Sequence, residues 1–217
     1  MDGIPVFKPD RFQAVAIGAS TGAPGQIETI LAALPADLPL PLLIAQHLPP
    51  SISQSFAAQL DAASALSVVV AEDGMPVYPG VVYIGPGRQH LRVVRRIGAR
   101  HVIEVGPEPS ELLFKPSADE LFRSCAGVWR ERLLVVVMTG IGRDGTQGAR
   151  RVRDEGGIVL TQTQATCAVY GMPRSCVEAG LSDAQLSPER IARAILQLSP
   201  EHGGKALAES QSGPGRK

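Results

Sequence analysis

Short runs of Val, Ile, Leu and Ala recur along this chain, and the stretches between them carry apolar residues three or four positions apart. The runs are QAVAIG (13–18), PLLIAQ (41–46), SVVVA (67–71), GVVYIG (80–85), LLVVVM (133–138) and GIVLTQ (157–162). Each has the length and β-branching of a strand. The stretches 24–34, 53–63, 117–129, 146–155 and 188–198 read as amphipathic helices. Strand-helix alternation predicts a parallel sheet with right-handed crossovers. Composition agrees: 44% of residues are hydrophobic and only 4% aromatic, the makeup of a Val-, Leu-, Ile- and Ala-built core buried between helices. One segment departs from the alternation. LRVVRRIGARHVIEV reads as an antiparallel hairpin turning near Gly98 at one edge of the sheet. The predicted fold is α/β, doubly wound and mostly parallel, with a β-hairpin insertion.

Residues 1–12 read as an extended lead, and from about Pro200 the sequence EHGGKALAESQSGPGRK loses apolar periodicity. Both ends are expected to be mobile, residues 200–217 as a disordered tail, with 13–199 as one folding unit. The 21 basic residues balance 21 acidic ones, which argues against a nucleic-acid-binding domain. No apolar stretch approaches the roughly 18–20 residues that cross a bilayer, so no direct membrane insertion is expected. The N-terminus MDGIPVFKPD has no basic segment leading into an apolar one, and so reads as no secretion signal. Cys125, Cys167 and Cys176 lack metal-ligand spacing and read as free, unreactive thiols in a reducing compartment, the cytoplasm.

In doubly wound sheets, ligands and reactive side chains gather at the C-terminal ends of the strands. After the first run comes GASTGAPG, a Gly-rich turn that would lift Ser20 above the sheet and aim the following N–H groups at the same point. A helix cap or a phosphate loop would also explain it, although its glycines match neither GxGxxG nor GxxxxGK[ST]. After the second run comes His47, where Pro49 and Pro50 hold the strand exit extended. His90, His101 and His202 fall in a turn, the hairpin and the tail. After LLVVVM comes TGIGRDG, in which Asp144 precedes a helix and reads, taken alone, as its N-cap. Each of the three follows a separate apolar strand, so the fold itself would bring Ser20, His47 and Asp144 to one rim. Together they compose a candidate nucleophile, base and orienting acid. Their order in the chain differs from that of the α/β-hydrolases and of the serine proteases, and there is no GxSxG elbow.

These residues resemble the catalytic domain of the chemotaxis protein-glutamate methylesterases, the CheB type. The likeness runs from AVAIGASTGAPG through AQHLPPSISQSFAAQL, AEDGMPVYPGVVYIGPGRQHL, KPSADELF and VVVMTGIGRDGTQGARRVRDEGG to TQTQATCAVYGMPRSCVEAG. The resemblance implies a three-layer α/β fold and hydrolysis of γ-glutamyl methyl esters on the cytoplasmic helices of chemoreceptors, with deamidation of receptor glutamines as a related activity. It implies no metal or organic cofactor. Its triad falls on Ser20, His47 and Asp144, and its surrounding positions on Thr21 and Met138. Backbone donors near Thr21 and Gly22 are the expected oxyanion site, and the GMP segment, 171–173, is expected near it or as a tight turn before a helix.

The chain departs from the family pattern in places. Chemotaxis members commonly carry an N-terminal phosphoacceptor receiver domain, whereas about a dozen residues precede the first strand here; the expectation is a free-standing member, constitutively active or controlled by a trans-acting regulator, or a fragment. In LLFKPSADE, the residues Leu113, Phe114 and Lys115 replace a polar run, and loop burial is expected over an apolar partner contact. Ala23 replaces a glycine, which is harmless if its φ is negative. Arg143, Arg150, Arg151 and Arg153 read either as steering charges for an acidic receptor surface or as a solvated helix face. A non-catalytic binding module of the same fold and a small-molecule serine esterase are the competing readings.

Overall fold

A computed structural model describes residues 5, 7–8, 11–95 and 101–198. The turn near Gly98, His202 and the tail from 200 lie outside the described residues. The main sheet has seven strands in the order β3-β4-β2-β1-β7-β8-β9. These are β1 Ala14–Ala19, β2 Leu42–Gln46, β3 Ser67–Val70, β4 Val81–Ile84, β7 Leu133–Val137, β8 Ile158–Gln162 and β9 Ala184–Leu186. Every pairing in it is parallel. The central strands β1, β2 and β7 are buried at every position, as continuous apolar runs require.

Alternate side chains of these strands feed two cores, giving three layers. Val15, Ile17, Leu42, Ile44 and Val136 pack with α1 (Pro24–Ala32), α2 (Pro50–Ala63) and α6 (Pro188–Leu196). Ala14, Ala16, Leu43, Val135 and Val137 pack with α3 (Ala118–Trp129), α4 (Thr146–Asp154) and α5 (Met172–Glu178). Each large apolar side chain so buried contributes about 1.5–3 kcal/mol. Gly18 lets α3 approach β1 closely, because a Cβ there would lie 2.5 Å from Ala118 Cβ and 2.9 Å from the Phe122 ring. Of the N-terminal lead, Phe7 and Phe12 are buried edge-to-face against one another, and Phe7 N–H donates to Gln197 Oε1, so this part is anchored instead of free.

The hairpin pairs antiparallel as expected, β5 His90–Arg95 with β6 His101–Gly106. It forms a separate two-stranded sheet and does not extend the edge of the main one. The reason is its apolar face: Leu91, Val93 and Ile103 are buried in the α3-side core, and Val93 N–H donates to Ser124 Oγ. Two further differences have local causes. Helix α2 begins at Pro50, since a proline that stops a strand also suits the first turn of a helix. Strand β9 is short and half-exposed, with no apolar run to announce it.

The two neighbours of β1, namely β2 and β7, lead the chain to opposite sides of the sheet. That reversal opens a crevice at the C-terminal ends of these strands.

Candidate active site

Parallel pairing runs one step past the strand ends and fixes the backbone of the rim. His47 N–H donates to Ala19 O at 3.0 Å, Ser20 N–H to Thr139 O at 3.0 Å and Met138 N–H to Gly18 O at 2.9 Å. On this frame His47 Nδ1 lies 3.0 Å from Ser20 Oγ, and Nε2 lies 2.8 Å from Asp144 Oδ2. The three candidate residues therefore meet at one rim.

Asp144 does not cap the helix that follows it. The N-cap of α4 is Gly145, at φ +91 with no side-chain cap, and the carboxylate turns instead to the head of α3. Oδ2 accepts from Ala118 N–H at 2.8 Å, while Oδ1 accepts from Asp119 N–H at 3.0 Å and from Ser117 Oγ at 2.8 Å. Burial alone would raise this carboxyl's pKa, but the His47 hydrogen bond and the Asp119 and Ala118 N–H groups outweigh it and hold the pKa below its ordinary value. An ionised Asp144 accepts the His47 Nε2–H, which leaves Nδ1 as the acceptor facing Ser20.

Residues that sequence reasoning missed complete the surroundings. Gln46 is buried, and its Nε2 donates to Ser20 O at 3.0 Å and His47 O at 3.2 Å, tying the Ser20 and His47 loops together. The signal for it was a polar residue closing the apolar run PLLIAQ. Ser117, the α3 N-cap, was legible as S-x-x-E with Glu120. Its N–H donates to Nδ1 of the fully buried His90, whose Nε2 then donates to Pro109 O. Burial lowers the His90 pKa, in keeping with a neutral ring. Gly140 abuts Ser20, since a Cβ there would lie 2.6 Å from Ser20 Cβ and 2.4 Å from Met172 Sδ. The GMP segment thus comes to the site as the start of α5, with the Met172 and Gly171 N–H groups both donating to Gly140 O.

Thr21 and Gly22 are exposed beside Ser20, with the required positive φ at Gly22 (+83) and a negative one, −85, at Ala23. The N–H groups of Thr21, Gly22 and Ile141 donate to no protein atom among the described residues. Met138 is fully buried in the core on the α1 side, and Ile141 is the 57% exposed apolar residue of that segment.

The expectation of loop burial at 113–115 is corrected. Leu113 is 87% exposed, and Phe114 lies against His47. Of the arginines, Arg151 pairs with Glu155 and Arg153 with Asp183, whereas Arg143 and Arg150 are exposed and form no ion pair among the described residues. Cys125 and Cys176 are buried and Cys167 partly so, and burial pushes the thiols of Cys167 and Cys176 up to about 11. Among the described residues no cluster of His, Cys, Asp and Glu could hold a metal ion, and no helix is long and apolar enough to cross a membrane. A cavity lined by Phe12, Leu40, Pro79, His101 and Trp129 lies at the opposite, N-terminal ends of the strands, away from this chemistry.

Comparison with known proteins bears on this geometry. The profile of the CheB methylesterase family matches residues 15–195. The chain is 44% identical over 189 residues to protein-glutamate methylesterase/protein-glutamine glutaminase 1 of Oleidesulfovibrio alaskensis, covering 87% of this chain and 51% of that protein. It is 40% identical over 189 residues to protein-glutamate methylesterase/protein-glutamine glutaminase 2 of Pseudomonas aeruginosa, covering 87% and 54%. The chain thus spans about half the length of these relatives. The crystal structure of the Thermotoga maritima CheB methylesterase catalytic domain superposes with a TM-score of 0.83 at 35% identity, covering 86% of this chain and 98% of that one.

Proposed function

The chain belongs to the CheB methylesterase family, and we propose that it hydrolyses γ-glutamyl methyl esters on chemoreceptor cytoplasmic helices through Ser20, His47 and Asp144. The observation that carries this reading is the unbroken line from Ser20 Oγ to His47 Nδ1 at 3.0 Å and from His47 Nε2 to Asp144 Oδ2 at 2.8 Å. The relatives named above lend their activity to the proposal, and a substrate on cytoplasmic helices makes the cytoplasm the proposed compartment.

A serine hydroxyl is a weak nucleophile until a base takes its proton. His47 receives it at Nδ1 while Nε2–H stays on Asp144, so the ring is turned relative to serine proteases, whose Nε2 faces the serine. Ser20 Oγ attacks the ester carbonyl carbon, and the C=O electron pair moves onto oxygen. The free N–H groups of Thr21, Gly22 and Ile141 are the proposed donors to that oxyanion. Collapse of the tetrahedral adduct breaks the bond to methoxide, which leaves as methanol with the proton from Nδ1. Water then attacks the acyl-enzyme, giving its proton to Nδ1, and Ser20 leaves reprotonated as glutamate is released. These residues and water complete the cycle. Met138 supports it from the core by tying the end of β7 to β1. Deamidation of a receptor glutamine follows the same path, with ammonia as a poorer leaving group that needs the His47 proton.

Methanol release from methylated receptors of the same organism tests the proposal. Ser20→Ala is expected to abolish nearly all turnover with an unchanged circular dichroism spectrum. Retained turnover would reject the nucleophile, and absence of labelling by a serine-directed acylating probe would favour a binding module.

A further inference from the structure

The two hydrogen bonds of His47 leave one freedom unrestrained. Both lie at the ring edge, one on each nitrogen, and together they define an axis about which the imidazole can still tilt. A contact on the ring face is needed to stop that tilt. Phe114 supplies one: its ring lies parallel to the imidazole, with centroids 4.3 Å apart and planes 3° apart.

The segment that delivers Phe114 is anchored close by. Two residues on, Pro116 packs tightly against Gly85 at the end of β4, with its Cγ 2.9 Å from where a Cβ on Gly85 would stand. Three residues on, Ser117 Oγ donates to Asp144 Oδ1 at 2.8 Å, tying the same segment to the acid of the triad. The preceding Leu113 faces solvent. Burial at Leu113 therefore does not hold the loop; its attachment to the catalytic rim does.

Offset parallel stacking suits two neutral rings, and it gains further when one ring is a cation, because the negative face of the other attracts the charge. The imidazole becomes a cation when it takes the Ser20 proton. We propose that Phe114 is a positioning residue for His47, holding the imidazole in the plane that joins Ser20 to Asp144 and stabilising the imidazolium formed during ester cleavage. This rests on His47 acting as the base in the reading above.

The test compares Phe114→Leu with Phe114→Tyr in the intact chain. Loss of a face-on cation contact is expected to lower kcat for methanol release about tenfold in Phe114→Leu. KM should change less than about twofold, as for an interaction made only in the transition state. Phe114→Tyr keeps the face and should recover kcat to within about threefold, the spread expected of aromatic faces. A second measurement needs no turnover: in Ser20→Ala protein with isotope-labelled histidine, the ring protons of His47 should resonate upfield, under the Phe114 ring current, and move downfield in Phe114→Leu. Unmoved His47 resonances would overturn the stack. Equal loss of kcat in the Leu and Tyr variants, or an effect on KM alone, would overturn the positioning role. Should Ser20→Ala retain methanol release, the catalytic reading fails while the resonance shift still reports on the stack.

Discussion

Asp144 and Asp119 cap each other's helices. Asp144, which precedes α4, accepts from the Ala118 and Asp119 N–H groups at the head of α3, while Asp119 Oδ1, from the first turn of α3, accepts from Gly148 N–H in the first turn of α4 at 2.6 Å. Two carboxylates at two helix N-termini thus lock α3 to α4, and one of them is also the acid of the proposed triad. The orientation of His47 and the docking of two helices are a single construction.

Asp144→Asn removes the charge at this junction and the acceptor that fixes the imidazole tautomer. Turnover should fall by about 10³- to 10⁴-fold, as when the acid of such a triad is neutralised. An amide set against several N–H donors should also cost about 1–3 kcal/mol in urea unfolding. Because the folded pKa is depressed, the stability that Asp144 contributes is present above the unfolded value of 3.8 and lost as pH falls through the folded one. The variant should show a flatter acid limb than the wild type.

Asp119 has the opposite sign. Burial raises its carboxyl's pKa and the nearby Asp144 adds to the rise, against the Gly148 N–H, so the folded protein holds this proton more tightly than the unfolded chain does. Ionising it costs stability as pH rises from the unfolded value of 3.8 through the raised folded one. Asp119→Asn keeps an oxygen for Gly148 and removes the charge. Its stability relative to the wild type should be lowest near the acid end and grow to a plateau at neutral pH, read from urea unfolding across that window. A difference that does not vary with pH would count against the assignment.

Gln46→Glu converts the donor that ties Ser20 O to His47 O into a carboxylate facing two carbonyl oxygens. Gln46→Met keeps the shape and loses only the donor. With each hydrogen bond worth about 1 kcal/mol, the Met variant should lose about tenfold in turnover through misalignment, with KM little changed. The Glu variant should lose more and also unfold at lower urea concentration.

Gly140→Ala would set a Cβ 2.6 Å from Ser20 Cβ and 2.4 Å from Met172 Sδ. Met172 can swing aside, but Ser20 cannot do so without leaving His47. A displacement near 1 Å costs about 100-fold in rate, so turnover and acylation by a serine-directed probe should fall together. Met172→Ala in the same background should restore little, because the clash with Ser20 remains.

Much of this was legible in the chain because it rests on periodicity. The apolar runs at 13–18, 41–46 and 133–138 marked β1, β2 and β7, and their adjacency brought Ser20, His47 and Asp144 together. What stayed hidden depends on contacts between distant segments. Nothing local in LLFKPSADE shows Phe114 lying over a ring 67 positions earlier in the chain. The sequence around Asp144 reads as the start of α4, and only the approach of α3, permitted by Gly18 and Gly148, turns that carboxylate to another helix. Strand β9 eluded periodicity because it has only three residues, half-buried, exposed and buried in turn, with a polar one at the centre.

The backbone ladder of β2, β1 and β7 also acts as a ruler. Strands β1 and β2 are immediate neighbours and end one residue before Ser20 and His47, so the lateral separation of the proposed nucleophile and base follows an interstrand spacing of about 4.8 Å that no side chain can change. The solvent faces of the outer helices can be resurfaced without altering that measure, whereas the head of α3 cannot be trimmed without freeing Asp144. A slip of β2 by one residue would carry His47 about 3.3 Å along the strand and turn its neighbours to the wrong layer. Drift in the outer layers is thus cheap for this architecture, whereas an error in strand alignment disarms it at once.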